Sequence, residues 1–511
     1  MKNALRWVVL LVVVGLVAAP AWAAELRLTG FIDNIFPHFR SNISAPDSDQ
    51  DVTRNSDQST FGRSRARMYF NIIASDDLRG VVGFELDAIW GRNPDGEAGS
   101  FGRNTDLNGN IETKWLYVDF RIPQLPIGNR MRLGGLPLYA TPLHGQTILH
   151  GDVGGGDWVL NFTDQVALHL YYAQFEEDSS AGDDRFPGSA KLGEDYATGM
   201  TLRLKPLDGL DVHLPFVYGH LQLPSGQMTS QSGPGKAIPE FFTNVTTESR
   251  YYLGFDARYR LGNTSLEPTF IYLLGTRKFD SASQALTGVQ DTSFNAFVGH
   301  FLVSHTLGPW LLQAKYAYTS GNKANDDINN RGIGSRSDVK HYGPMNADGG
   351  PMWQEWFEVF GNSEVDGTSI DTFTRMGESG GFDRFGWQVL AGAVEYKATD
   401  KLILEGAVGG FWAAQKPACP ASLRQESLSG RCGDPEEEDH NTKPRGEPIY
   451  NFTGDSRYLG FEIAAGARYT IMPGLTWTPR LAYVDYGKGL NQNNRKAMDA
   501  WVLVNRVIYI F

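Results

Sequence analysis

Three arginines stand two residues apart at Arg63, Arg65 and Arg67, and Tyr69 and Asn71 continue the same parity. A guanidinium grips carboxylate, phosphate or sulfate through a planar fork. A row of guanidiniums on one face of a strand therefore makes a surface that draws anions. The intervening Ala66, Met68, Phe70 and Ile72 fall on the opposite, apolar face. The next segment repeats the alternation: Val82, Phe84, Leu86, Ala88 and Trp90 point one way, Glu85 and Asp87 the other. Followed by parity along the chain, the polar face also gathers Arg121, Arg130, Arg132, Arg203, Arg258 and Arg260. In all it collects sixteen cations against nine anions, within a chain of formal net charge −12. These nine arginines are the candidate anion contacts, with Arg63 and Arg65 foremost because no acid stands evidently opposite them. The competing reading is that the arginines pair with neighbouring acids, as Arg67 would with Asp87.

A second constellation lies in 140–157, where His144, His150, Asp152 and Asp157 stand among glycines. Folded inward, such a loop would set acids against the arginines across a narrow neck, and its histidines would add pH sensitivity. The alternative is an ordinary outer loop. Cys419 and Cys432 are the two cysteines and are expected to form a disulfide that stiffens their own loop. The ten histidines are scattered, and no Ser/His/Asp spacing suggests a nucleophile with its base, so no catalytic residues are assigned. Asp47, Asp49 and Asp51 lack the glycine and distal glutamate of a calcium loop, and no metal or cofactor is expected. The acidic balance excludes a nucleic-acid binder.

The elements that must position these residues follow from the period of two. Segments of about 10–15 residues alternate in polarity between turn signals, which is the dyad pattern of a transmembrane β-barrel. Short turns such as Leu261-Gly262-Asn263-Thr264 and Leu307-Gly308-Pro309 take strict turns with long loops, including 321–383 and 416–455. Nine long loops predict an all-β antiparallel barrel of about eighteen strands, or sixteen if the weakest segment, 157–163, is not a strand. Lys2 and Arg6, the apolar run from Trp7 to Ala19 and Ala21-Trp22-Ala23 read as a signal peptide over 1–23, which leaves one barrel domain over 24–511. The final strand ends on Phe511, the kind of aromatic terminus that barrel-assembly machinery recognises. The expected setting is the outer membrane of a Gram-negative-type bacterium, with lipid and lipopolysaccharide as partners. Within the longest loop, Met352 to Phe360 is amphipathic and is expected to pack on its own barrel or on a neighbouring subunit.

The stretch from Ala74 to Gly91 resembles the second hairpin of the homotrimeric outer-membrane porins of sulfate-reducing bacteria. Ile111 to Pro123 and Gly392 to Leu402 are similar to the same family, and together these stretches cover under a tenth of the chain. The barrel size and arginine-rich interior are also similar to the alginate-export family. The first resemblance implies a homotrimer and passive diffusion of small hydrophilic solutes, here leaning toward anions. The second implies a dedicated channel for one anionic substrate such as a polyuronate. A barrel lipase or protease is the third alternative.

Overall fold

The computed structural model describes residues 24–40, 58–60, 62–90, 100–101, 111–141, 143, 147–176, 195–222, 245–279, 284, 291–323, 339–347, 354–361, 385–418, 454, 456–491 and 499–511. Eighteen long strands succeed one another: β1 (Glu25–Arg40), β2 (Arg63–Ser75), β3 (Leu78–Trp90), β4 (Glu112–Phe120), β5 (Gly128–Tyr139), β6 (Leu149–Asn161), β7 (Val166–Glu176), β8 (Asp195–Leu207) and β9 (Leu210–Gln222) in the first half. The second half comprises β10 (Val245–Leu261), β11 (Thr264–Phe279), β12 (Thr292–Leu307), β13 (Trp310–Thr319), β14 (Trp387–Lys397), β15 (Leu402–Ala413), β16 (Tyr458–Met472), β17 (Leu475–Tyr486) and β18 (Ala500–Ile510). Each is antiparallel to its neighbours in sequence. The cylinder closes where β1 pairs with β18, from Phe31 opposite Ile510 to Arg40 opposite Trp501. Closure removes every sheet edge, which an all-β wall needs if it is to sit in hydrocarbon.

Side chains alternate across this wall. Leu116, Leu390, Val408 and Leu481 are 52–59 % exposed, while their neighbours Tyr117, Val389, Ala407 and Ala482 are buried. Large apolar residues are exposed in this way on every strand from β1 to β18 apart from β6, where Trp158 holds the corresponding parity. A continuous apolar outer surface is unstable in water and marks a membrane-spanning barrel. Aromatic rings cluster on that surface near both rims. Tyr172, Tyr196, Tyr218 and Tyr251 run across β7 to β10 with ring spacings of 6.0, 6.2 and 5.1 Å. Trp310 and Tyr396 meet at 4.4 Å at the opposite end of β13 and β14. Amphipathic rings of this kind sit at the level of the lipid headgroups.

The turns on one rim are tight. At Leu261–Thr264 the chain reverses with Gly262 at φ 57°, a left-handed conformation that glycine adopts without a Cβ penalty. A different need fixes Gly134 on β5: at φ 131° a Cβ there would lie 2.2 Å from the carbonyl oxygen of Leu116 on β4.

The expected strand count holds, and the segment 157–163 is a strand. It begins earlier than its polarity suggests, at Leu149, so the predicted constriction loop over 140–157 is corrected. Only 140–148 connects β5 to β6, and His150, Asp152 and Asp157 stand on the wall. His144, Cys419, Cys432 and the segment 1–23 lie outside the described residues.

Candidate functional site: the barrel interior

The arginines predicted to line the interior are on the face opposite the exposed apolar residues, and most meet acids there. Arg65 Nε donates to Asp87 Oδ1 at 2.7 Å and its Nη2 to Oδ2 at 3.1 Å, while Arg67 bonds Glu85 on the same hairpin. Register explains the match, because Arg65 is directly opposite Asp87 and Arg67 opposite Glu85. The expectations that Arg65 lacks an acid and that Arg67 faces Asp87 are therefore corrected by one step along the ladder. Arg63 is 4 % exposed at the start of β2.

Arg121 and Arg130 serve the short-turn rim. Arg121 pairs with Asp77 at 2.7 Å, and Arg130 bonds Asp119 and also donates to the carbonyl of Asp76 at 2.7 Å. Arg79, which parity counting missed, reaches Asp119 at 2.6 Å. These cations pin the β2–β3 turn to β4 and β5. Arg506 holds Asp33 at 2.9 Å through both carboxylate oxygens and so ties the closing strands together from within.

Further up the wall a polar chain crosses four strands. Arg132 donates to Asp157 through Nε at 2.9 Å and Nη2 at 2.5 Å. His169 Nε2 meets the same carboxylate at 2.8 Å, and Arg203 Nη2 meets His169 Nδ1 at 3.0 Å. An arginine can only donate, so Nδ1 must accept and Nε2 must carry the proton; the contacts fix a neutral tautomer. Asp157 thus satisfies Arg132 and orients His169, which leaves Arg203 with no carboxylate in ion-pair range among the described residues. Arg260 has none among them either, whereas Arg258 pairs with Glu267 at 2.7 Å.

Lys114 is a lining residue that the sequence concealed. The ladder shifts between Gly83 and Phe84, pairing them with Trp115 and Thr113, so Lys114 occupies a bulge. Its ammonium lies 3.2 Å from Glu85 and 2.6 Å from Asp152, and Trp115 Nε1 donates to the same Asp152 at 2.6 Å. The ring of His150 lies 4.7 Å from that of Tyr139 on the adjacent strand.

Among the described residues, the interior is narrowed by three segments from two connections, and the longer connection supplies two of them. The described residues of the β5–β6 connection, 140, 141, 143, 147 and 148, meet the inner face of β8 and β10: Thr201 donates to the carbonyl of Ala140 at 2.8 Å, and the amide of Leu143 to Asp256 at 3.2 Å. Residues 339–347, from the loop between β13 and β14, lie beside them. Met345 donates its amide to Ile148 at 2.8 Å and its side chain packs onto Gly219, while Tyr252 donates to Gly343 at 2.8 Å. The same loop enters again at 354–361. There Glu462 on β16 accepts the amides of Glu358, Val359 and Phe360 at 2.7, 3.0 and 2.8 Å. Arg480 donates to the carbonyls of Glu355 and Trp356 at 3.2 and 3.0 Å, and Lys315 Nζ lies 4.3 Å from the Trp356 ring centroid. Phe360 stacks on Phe411 at 4.1 Å, and Phe357 meets the same ring edge-on at 5.2 Å. The described part of the amphipathic run, 355–360, packs on its own barrel, from within.

The fold and lining define a membrane-spanning β-barrel with a polar, partly occluded interior. No family model and no curated protein matches the sequence. Among solved structures it is similar to OccK8 (OprE) of Pseudomonas aeruginosa at 10 % identity and TM-score 0.47, covering 95 % of this chain and 98 % of that one. It is also similar to the outer membrane protein OprD of the same organism, at 12 % identity and TM-score 0.47, covering 97 % and 95 %. OpdK of that organism, solved with vanillate, aligns at 10 % identity and TM-score 0.46, covering 95 % and 98 %.

Proposed function

We propose that this barrel is an outer-membrane porin that passes small hydrophilic solutes by passive diffusion, with a lean toward anions. The observation that carries the reading is the alternation itself: an apolar outer surface encloses a wall that carries arginines, acids and histidines. Arg203 and Arg260 supply the lean, because the other described partners of the wall arginines are largely acids that neutralise them. Rings of fixed charge set which ions enter a wide aqueous pore. Swelling of liposomes containing the purified protein, in graded uncharged sugars, tests this directly. Uptake that falls with sugar size supports the porin, and liposomes that stay osmotically inert refute it.

The inward segments narrow the path and favour, as a second reading, a channel dedicated to one anionic substrate such as a polyuronate. Block of chloride current by oligouronates, with no block by neutral oligosaccharides of equal length, would select it. Homotrimeric assembly belongs to the first reading and is supported by the resemblance of Ala74–Gly91, Ile111–Pro123 and Gly392–Leu402. Assembly into lipopolysaccharide-bearing membrane through the terminal strand is supported by Phe511, which exchanges both backbone hydrogen bonds with Gly30 at the barrel seam, at 2.9 and 3.0 Å.

A further inference from the structure

The inner wall is covered unevenly. On β12, β13, β14, β15 and β17 the inward-facing Val298, Ala317, Val389, Phe411 and Val484 are at most 1 % exposed. On β2 and β3 the inward side chains of Arg67 and Asp87 keep 26 and 40 % of their surface open. A free part of the lumen therefore lies along β2, β3 and β4. Two aromatic rings stand on that stretch. Tyr69, the central residue of β2, and Trp115 of β4 are stacked at 4.2 Å with an interplanar angle of 22°, and both are only half-buried. Gly83, on the strand between them, makes room for the stack. A Cβ there would come within 2.9 Å of Tyr69 Cδ1 and 3.2 Å of Trp115 Cβ. The rings thus lie down over β3, and Tyr117 continues the row from Trp115 at 6.4 Å.

Charged groups border the stack and balance one another. Arg65 and Arg67 bind Asp87 and Glu85, and Lys114 links Glu85 at 3.2 Å to Asp152 at 2.6 Å. Three cations meet three carboxylates, so donors and acceptors stand side by side with no net charge.

We propose that Tyr69 and Trp115 form a platform for the ring of a neutral pyranose sugar, halfway along the lumen. The face of an aromatic ring is the negative side of its quadrupole and attracts the C–H bonds that line a face of a pyranose. Each sugar hydroxyl is both donor and acceptor, and adjoining cations and carboxylates serve both halves at once. Because the border is balanced, it offers these hydrogen bonds without drawing in an ion of either sign. The inference deepens the porin reading and rests on it for the claim that the sugar arrives as a permeating solute.

The test uses the purified full-length barrel in a detergent without a sugar headgroup, titrated with maltotriose or sorbitol and followed by saturation-transfer NMR of the solute. Maltotriose should bind saturably, and sorbitol, which has the hydroxyls without a ring face, should not. Trp115→Leu should weaken half-saturation about tenfold. Trp115→Phe, which keeps a ring face and loses the bond to Asp152, should stay within about threefold of the parent. No saturable transfer to maltotriose, an equal response to sorbitol, or undiminished binding in Trp115→Leu overturns the platform. If Trp115→Leu does not fold, the comparison of maltotriose with sorbitol on the parent barrel decides. Chloride current in planar bilayers separates the two claims. A barrel that binds maltotriose yet never conducts keeps the platform and removes the porin, and a conducting barrel that does not bind maltotriose does the reverse.

Discussion

Glu462 accepts the backbone amide hydrogen of Phe360 at 2.8 Å, so a single carboxylate on β16 holds the turn of the longest loop inside the barrel. Because the same side chain also takes the amides of Glu358 and Val359, the constriction is latched to the wall by three charged hydrogen bonds. Each such bond contributes roughly 1.5–3 kcal/mol. In Glu462→Gln one oxygen becomes an amide that cannot accept, and the latch loses at least one of them. The expected result is a barrel that folds but shows larger and noisier single-channel currents. Unchanged amplitude and noise would show that the 354–361 segment does not set the neck.

Asp157 should behave as a structural acid. It is buried between Arg132 and His169, and its conversion to Asn leaves the Arg132 charge uncompensated at the wall. Removing one partner of a buried pair costs about 3–5 kcal/mol. Asp157→Asn is expected to lower the urea midpoint of the detergent-solubilised barrel strongly, whereas Asp87→Asn, whose side chain is 40 % exposed, should shift it little.

Arg203 should act on selectivity more than on stability. It holds His169 but no described carboxylate, so Arg203→Gln removes positive charge from the lumen without orphaning an acid. The chloride-over-potassium preference, read from the reversal potential in a salt gradient, should fall. For Arg65 and Arg67 the balance tips the other way, since each substitution removes an ion pair across the β2–β3 hairpin, with Asp87 or with Glu85.

Gly134→Ala is expected to impair folding. The added methyl would sit 2.2 Å from the Leu116 carbonyl oxygen, at a backbone angle that side-chain-bearing residues rarely adopt. The folded band on an unheated denaturing gel should be reduced or lost. A normal folded band would mean that β4 and β5 can separate at this point without penalty.

Much of the barrel was legible because lipid imposes a two-residue period that nothing else in the chain overrides. The period fails where side chains vanish or the ladder slips. Gly151 and the run Gly154–Gly156 carry no polarity, so the first half of β6 looked like a loop and took His150, Asp152 and Asp157 with it. At Lys114 a bulge reverses the parity, and a true lining residue counted as outward. The buried ion pair of Arg250 with Glu248 was missed for a different reason. They lie at the start of β10, where Thr246 to Arg250 are all polar and hydropathy does not alternate. Arg65 and Arg67 were placed on the correct face with the wrong partners, because pairing depends on register and register depends on the turn geometry at 76–77. The inward course of 339–347 and 354–361 follows from contacts with strands remote in sequence, such as Glu462 and Gly219, and no local pattern encodes those.

The account depends most on a water-filled path through the closed wall, and single-channel recording in a planar bilayer under a potassium chloride gradient tests that path most directly. Discrete conductance steps with a reversal potential displaced toward chloride are expected, and in Arg203→Gln the displacement should shrink while the steps persist. A barrel that is folded and inserted yet electrically silent, or one that prefers potassium, would contradict the account.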